Sequence, residues 1–306
     1  MLTDPIYTLA DLDNWSFAGT ALAVLGHPIK HSISPPMHNA ALAQMAQSDA
    51  RFASWKYFRF DIAPDDLPVA LEKFSHHNFK GLNLTVPHKV LAFDLVNTSG
   101  TDAHEIGAVN TLTLESNSWF GENTDGYGLE AGILENFRTT IADRDIILLG
   151  AGGAARGAAV MCVHRHCRSL WIANRTAKNR DALQEHLLGA SWHLKVPVFG
   201  FDPSAPPKEL PLGALVINAT SAGLKPNDPL PIDLSTLPRP RAVYDMIYNP
   251  PETPLLAQAR ALGIPAANGL SMLVHQGARA LEIWSEAAVP VDAMRSAVHS
   301  AMKSSA

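Results

Sequence analysis

The stretch DIILLGAGGAARG, Asp145 to Gly157, decides the fold of this chain. Its apolar β-formers Ile146, Ile147, Leu148 and Leu149 break into glycines and then open an alanine-rich helical pattern. That succession is the strand, tight turn and helix of a dinucleotide-binding unit. In such a unit Gly150 allows the turn, Gly152 lets the backbone approach a pyrophosphate, and Ala155 takes the small-residue place where helix packs on strand. The free N–H groups of the helix N-terminus then face phosphate oxygens.

About twenty residues downstream, the second strand of such a unit ends in a carboxylate when the cofactor is NAD, because the ribose 2′-OH needs an acceptor. Here the strand SLWIA runs into Asn174, Arg175 and Thr176, with Lys178 and Arg180 close behind, and no carboxylate stands at the strand end. A guanidinium fork, a hydroxyl and an amide suit a 2′-phosphate. The expected cofactor is therefore NADP(H).

Working outward to the whole chain, 306 residues with 47% hydrophobic content imply about two domains, each large enough for its own core. A net charge of −5 with both signs interspersed argues against nucleic acid as a partner. The start MLTDPIYTLADLD carries early carboxylates, so no signal peptide is expected, and no apolar run approaches the ~18 residues of a membrane span. Two cysteines make no disulfide framework and fit a reducing cytoplasm. They sit in CVHRHC, Cys162 to Cys167, where no second ligand pair follows at finger spacing. That segment reads as the end of a crossover helix, with no metal site expected.

The first half of the chain offers a different chemistry. After a strand over Ala21 to Leu25, the segment PIKHSISPPMHNAALAQMA places Ser34 as a helix cap before Pro35 and Pro36, with Ser32 two residues earlier. Two hydroxyls and a helix N-terminus suit a small anion such as a carboxylate, without any arginine clamp. A strand around Trp55 to Phe60 and a helix through Leu67 to Phe74 follow. In FKGLNLTVPHK, Leu82, Leu84 and Val86 alternate with Asn83 and Thr85, which predicts an apolar face toward a core and a polar face opposite. Pro87 stops that strand and Lys89 falls at the strand-to-helix junction, where ligands bind in α/β sheets and where a solvated charge is also common.

GAVNTLTL and SWFGENTDG flank the polar break Glu115 to Asn117 and read as a hairpin. Counting outward from the turn brings Asn110 near Asn123, with Asp125 just beyond, so one hairpin end gathers an amide and a carboxylate. Asp125 also stands where it could cap the next helix. Later, LGALVINATSAG presents Asn218, Thr220 and Ser221 at a strand end, Thr253 and Pro254 start a helix that Gly263 ends, and a proline-rich connection lies between as an ordered surface loop. In GLSMLVHQGARALEIW, Leu273, Gly277, Ala280 and Ile283 follow helical spacing, and Gln276 shares that largely apolar side.

HSISPPMHN, GLNLTVPHK, GAVNT, GENTDGYG, GAGGAAR, ANRT, NATSAG, YDMIYNPPETPLL and GLSMLVHQ, spread in order from about residue 21 to 285, resemble the motif set of the shikimate dehydrogenase family. The resemblance implies an α/β fold of two domains with a cleft between them. The first is an α/β substrate domain with a mixed open sheet, residues 1–124, completed by returning helices in 267–306. The second is a Rossmann-type NADP-binding domain, residues 125–266. It implies the reduction of 3-dehydroshikimate to shikimate, a step of aromatic amino acid biosynthesis, by a cytoplasmic monomer or homodimer. By matching motif positions, Lys89 and Asp125 are the catalytic pair, Ser32 and Ser34 hold the substrate carboxylate, and Thr85, Asn110 and Gln276 bind ring hydroxyls with Asp125 and Tyr248 close by. On the cofactor side Gly150, Ala151, Gly152, Gly153 and Ala154 wrap the pyrophosphate and Asn174, Arg175 and Thr176 the 2′-phosphate. Thr220, Met246 and Gly269 line the nicotinamide end.

Hydride arriving at a ketone carbon leaves alkoxide character on oxygen, which an ammonium can stabilise and protonate, so Lys89 is expected as general acid/base with Asp125 orienting it. Two alternatives remain at this level: a dehydrogenase that also takes quinate, and a ligand sensor without turnover. Relatives that use quinate often carry a threonine at the position of Ser34 and an acidic residue at the position of Asn174, and this chain has neither. It keeps both Lys89 and Asp125. Two departures from the family pattern are Leu281, where phenylalanine is common, and a longer lead-in of roughly the first twenty residues, to which no role attaches.

Overall fold

The computed structural model describes residues 5–96, 98–189, 196–225 and 227–305. The chain divides into two compact units, Met1–Thr124 with Val274–Ala306, and Asp125–Leu273.

Unit 1 holds β1 (Tyr7–Thr8), β2 (Thr20–Gly26), α1 (Ser34–Ser48), β3 (Trp55–Asp61), α2 (Leu67–His76), β4 (Gly81–Leu84), α3 (His88–Phe93), β5 (Thr98–Ser99), α4 (Thr101–Ile106), β6 (Thr111–Glu115) and β7 (Ser118–Glu122). They form one mixed sheet in the order β1-β3-β2-β4-β6-β7-β5. The pairs β4–β6 and β6–β7 are antiparallel, and the remaining pairs are parallel. The hairpin turns on Ser116 and Asn117, both in the left-handed region at φ 49° and 66°, the geometry that keeps two twisted strands together. Its register pairs Thr111 with Glu122, so Asn110 donates its backbone N–H to Glu122 O at 2.9 Å.

Two expectations for this unit change. Val86 does not join the core, because β4 ends at Leu84 and Val86 is 72% exposed. The four residues of β4 are instead buried on both faces, as befits a strand in mid-sheet with cover on each side. The lead-in also acquires a role. Tyr7 and Thr8 add an edge strand to β3, Leu12 is fully buried, and Trp15 meets Phe58 edge-on at 4.9 Å, so the segment covers one end of an aromatic core.

Unit 2 comprises α5 (Asp125–Phe137), β8 (Asp145–Leu149), α6 (Gly153–His164), β9 (Ser169–Ala173), α7 (Ala177–Gly189), β10 (Val198–Phe201), β11 (Leu215–Asn218), β12 (Ala242–Asp245), α8 (Pro254–Ala261) and β13 (Ala266–Asn268). Its sheet runs β10-β9-β8-β11-β12-β13 with every pair parallel. Counted within the unit this is strand order 3-2-1-4-5-6, the doubly wound dinucleotide-binding arrangement. Ile147, Leu149, Val216 and Val243 are buried with Leu255 and Leu256 of α8. Cys162 and Cys167 are buried free thiols.

Two helices close the chain, α9 (Leu270–Ser285) and α10 (Val291–Ser305). The unit boundary falls at Leu273/Val274, inside α9 and a few residues past the expected return at 267. Of the expected stripe on α9, Gly277 and Ala280 are buried and Leu273 and Ile283 partly so, and the buried face extends to Val274, Ala278, Leu281 and Trp284. Its indole N–H donates to Leu112 O at 3.0 Å, in space left by Gly81. No helix among the described residues is long and apolar enough to cross a membrane.

Candidate active site

In unit 1 the chain leaves β2 for β3 on one side, then returns to β4 on the other, so the loops after β2 and β4 flank a topological switch point. Hydrogen bonds join those loops: Thr85 N to Leu25 O at 2.9 Å and His27 N to Val86 O at 3.2 Å. The first loop carries Ser32 and Ser34, and the second carries Thr85 and leads to Lys89. All four are partly exposed.

Ser34 is not the cap that the prolines suggest. Ile33 holds that place, its carbonyl accepting from Met37 N at 3.3 Å, and Ser34 is the first residue of α1. Its backbone N–H points to Ser32 Oγ at 3.4 Å. Beneath the loop lies a group the sequence reading missed. Arg59 of β3 is 1% exposed, and its Nη1 donates to Lys30 O at 2.8 Å and Ser32 O at 3.1 Å. A single arginine among the aromatic residues of WKYFRFD was the available signal.

The second loop is pinned from below. His88 donates its backbone N–H to Thr85 O at 2.8 Å, and its ring Nε2–H to Ile62 O at 2.9 Å. Burial lowers the His88 pKa from the ordinary imidazole value, against the pull of its hydrogen bond to Ile62 O. Lys89 follows as the second residue of α3, with its own carbonyl accepting from Val109 N at 2.9 Å.

At the same sheet edge, Asn110 and its neighbours form a buried polar group. Asn110 Oδ1 accepts the Thr124 backbone N–H at 2.8 Å and the Thr111 hydroxyl at 3.0 Å, which sets the amide orientation and leaves Nδ2 on the donor side. Asn110 O accepts from Leu84 N and from Asn83 Nδ2, and Asn83 Oδ1 accepts the Tyr57 hydroxyl at 2.7 Å. Thr124 Oγ1 lies 3.5 Å from Gln276 Oε1. The structure thus gathers Asn110, Thr124 and Gln276, while Tyr57, Asn83 and Thr124 are supports that were not assigned from sequence. Asp125 directly follows Thr124 and opens α5. Gln276 is seated beside Gly277, where an added Cβ would lie 2.4 Å from Met37 Cε.

Unit 2 offers a groove of about 370 Å³ lined by Gly150–Gly152, Asn174, Arg175 and Thr220, among others. Gly150 has φ +110°, a conformation other residues rarely adopt, and its N–H donates to Ala173 O. Around Gly152 and Gly153, among the described residues, no atom beyond their chain neighbours and the adjoining helix backbone lies within 4 Å of where a Cβ would stand. This open cradle at the start of the 12-residue α6 fits a pyrophosphate. At the end of β9, Arg175 and Thr176 are exposed, and Asn174 Nδ2 donates to Thr176 O at 2.9 Å, closing the turn that presents them. Arg180 is engaged by Asp181 at 2.9 Å. The segment Asp228–Pro231 also lines the groove, so the proline-rich connection contributes a wall as well as a surface.

The other end of the groove rests on a buried carboxylate. Asp245, fully buried, accepts from Asn218 Nδ2 (2.9 Å), Ile247 N (3.0 Å) and the Thr253 hydroxyl (2.6 Å). Burial raises its pKa above the ordinary carboxyl value, against the pull of these hydrogen bonds. Asn218 Oδ1 in turn accepts both the N–H and the hydroxyl of Thr220. Gly269 packs on Met246 so closely that a Cβ would sit 2.1 Å from Met246 O. Tyr248 is mostly buried, and burial pushes its phenol upward, keeping it a donor.

Comparison with known proteins bears on both units. A family model described as the shikimate dehydrogenase substrate binding domain matches residues 24–112, and one described as the shikimate 5'-dehydrogenase C-terminal domain matches residues 269–299. The NADP(+) shikimate dehydrogenase of Moorella thermoacetica is 40% identical over 94% of this chain and 96% of its own. The Thermus thermophilus shikimate 5-dehydrogenase, solved with NADP(H) and shikimate, superposes with a TM-score of 0.79 at 31% identity, covering 92% of this chain and 99% of that one. A 5-ketofructose reductase from a Gluconobacter strain superposes with a TM-score of 0.82 at 28% identity, over 93% of this chain and 99% of that one.

Proposed function

The chain belongs to the shikimate dehydrogenase family, and from that membership we infer that it catalyses the reversible NADPH-dependent reduction of 3-dehydroshikimate to shikimate. Because the same fold also serves a 5-ketofructose reductase, the substrate has to be argued from side chains. The observation that supports the reading is that the loops bearing Ser32, Ser34 and Thr85 are hydrogen-bonded to each other at one switch point, with Asn110 bonded to Leu84 and Lys89 at the start of the adjoining helix.

In this reading the hydroxyls of Ser32 and Ser34 bind the ring carboxylate, and Thr85, the oriented Nδ2 of Asn110 and Gln276 bind ring hydroxyls. Lys89 stabilises the charge that develops on the carbonyl oxygen and delivers its proton; in the oxidative direction it takes the proton back. Asp125 is the carboxylate partner in that transfer, and its backbone follows Thr124, whose N–H Asn110 holds. Bound NADPH supplies the hydride. Gly150 to Ala154 hold its pyrophosphate, Asn174, Arg175 and Thr176 its 2′-phosphate, and Thr220, Met246 and Gly269 border its nicotinamide, with Tyr248 beside the substrate. A cytoplasmic setting accords with the two buried free thiols.

Initial rates with shikimate and quinate, each against NADP+ and NAD+, test this directly by nicotinamide absorbance. Shikimate with NADP+ is expected to be the fastest pair. Binding without turnover for every pair would replace the enzyme with a ligand sensor.

A further inference from the structure

A carboxylate held by two serine hydroxyls needs those hydroxyls aimed in one direction, yet the loop that carries them, residues 27–33, has no regular secondary structure. Besides backbone bonds from His27 N to Val86 O and from Ser32 N to Ile29 O, Arg59 holds it from below. On β3, Tyr57, Arg59 and Asp61 alternate with Phe58 and Phe60, and Tyr57 stacks on His38 of α1 at 4.0 Å, so Arg59 shares the α1 face. From there one guanidinium nitrogen donates to the carbonyls of Lys30 and Ser32, on either side of His31. Ser32 is held at three atoms: its N–H by Ile29 O at 3.0 Å, its carbonyl by Arg59 at 3.1 Å, and its Oγ by Ser34 N at 3.4 Å. The cation is 1% exposed and cannot deprotonate, so an anion seated above the loop gains attraction in a medium of lower dielectric than water.

We propose that Arg59 is the positioning residue and buried countercharge for the substrate carboxylate, acting through the backbone of the loop that bears Ser32 and Ser34. The proposal rests on the reading of those serines as carboxylate ligands. Arg59 needs no contact with the substrate; it replaces a direct arginine clamp with one applied from behind. Lysine keeps the charge but carries it on a flexible stem, without the rigid planar group that aims one nitrogen at both carbonyls, so it separates alignment from charge.

The test measures calorimetric affinity of the full chain for shikimate and for its methyl ester, a probe that lacks the negative charge. In Arg59→Met, shikimate affinity is expected to fall on the order of tenfold or more. The preference for acid over ester should collapse, while NADPH binding followed by fluorescence stays as in wild type. Arg59→Lys should fall between wild type and Arg59→Met. An unchanged acid-over-ester ratio in Arg59→Met overturns the proposal, since a merely structural arginine would weaken both ligands alike. If Arg59→Met does not fold, the same ratio in Arg59→Lys decides, with wild-type affinity and wild-type ratio together overturning it. The ratio is a binding quantity, so a wild-type chain that binds shikimate without turnover would sink the enzymatic reading and leave this test standing.

Discussion

Both units lead a parallel strand into a helix at whose start the proposed function places an anion, and they do so with opposite chemistry. In unit 2 the loop after β8 is stripped of side chains: Gly150 turns at φ +110°, and Gly152 and Gly153 leave open space where a Cβ would be. In unit 1 the loop after β2 is built from side chains, with Ser32, Ser34 and two prolines above and the buried Arg59 below. The ligands proposed for the two loops account for the contrast. A diphosphate has many equivalent oxygens that backbone N–H groups can wrap, whereas a small ring with one carboxylate and several hydroxyls must be distinguished by direction. Unit 1 should therefore fail when side chains are shortened, and unit 2 when they are added.

The largest expected effect is on the unit 1 side. Lys89→Ala should lower kcat by about 10²–10⁴, the usual contribution of a positioned acid/base, with unchanged circular dichroism and unchanged NADPH binding. Near wild-type turnover in a folded Lys89→Ala protein would remove that lysine from the chemistry. The converse is Gly152→Val, which fills the open cradle of α6; NADP+ affinity should drop on the order of 100-fold, as charge-assisted bonds from the backbone are lost. Shikimate affinity measured without cofactor should stay put. If Gly152→Val weakened shikimate and left NADP+ binding alone, the division of labour would be reversed. Smaller still, Arg175→Ala should weaken NADP+ roughly 10- to 100-fold and leave NAD+ within a small factor, because only the 2′-phosphate uses the guanidinium. Equal losses for both nucleotides would move Arg175 out of phosphate recognition.

The same contrast governs what the sequence could reveal. The glycine turn and the hairpin register, which pairs Thr111 with Glu122 and so brings Asn110 near Asn123, are local consequences of backbone conformation and turn length, so they are readable from a few consecutive residues. Arg59 is different: its partners lie nearly thirty residues away in a loop, and nothing in WKYFRFD says which way its side chain turns. Asp245 and the Tyr57–Asn83 pair belong to the same class, buried polar groups whose partners come from other strands. The assignment of Ser34 as a cap failed by one residue, because Ile33 supplies the first helical carbonyl and local preference does not fix boundaries that finely. The lead-in looked idle because its aromatic residues only gain meaning once Phe58, Phe60 and Phe79 present a surface to cover.

Side-chain building has a cost that glycine building avoids, and His38 makes it measurable. The ring is fully buried against Tyr57, neither of its nitrogens has a hydrogen-bond partner among the described residues, and burial lowers its pKa from 6.5 to about 3. The folded protein therefore holds the neutral ring while the unfolded chain takes a proton near pH 6.5, so the stability is fully present above that pH and is lost as pH falls toward about 3. At roughly 1.4 kcal/mol per pH unit, denaturant unfolding at pH 5 should give about 2 kcal/mol less from this ring than at pH 7.5. In unit 2 the sign is opposite. Asp245 has a raised carboxyl pKa, so its contribution is present below the ordinary carboxyl value and is lost as pH rises through the raised one. His38→Phe keeps an aromatic ring on Tyr57 and removes the titration, so the acid loss attributable to position 38 should vanish; any constant repacking cost shifts both pH values alike and drops out of the difference. A variant as acid-sensitive as wild type would mean that His38 does not stay neutral in the fold, and that unit 1 carries its buried polar groups at no such penalty.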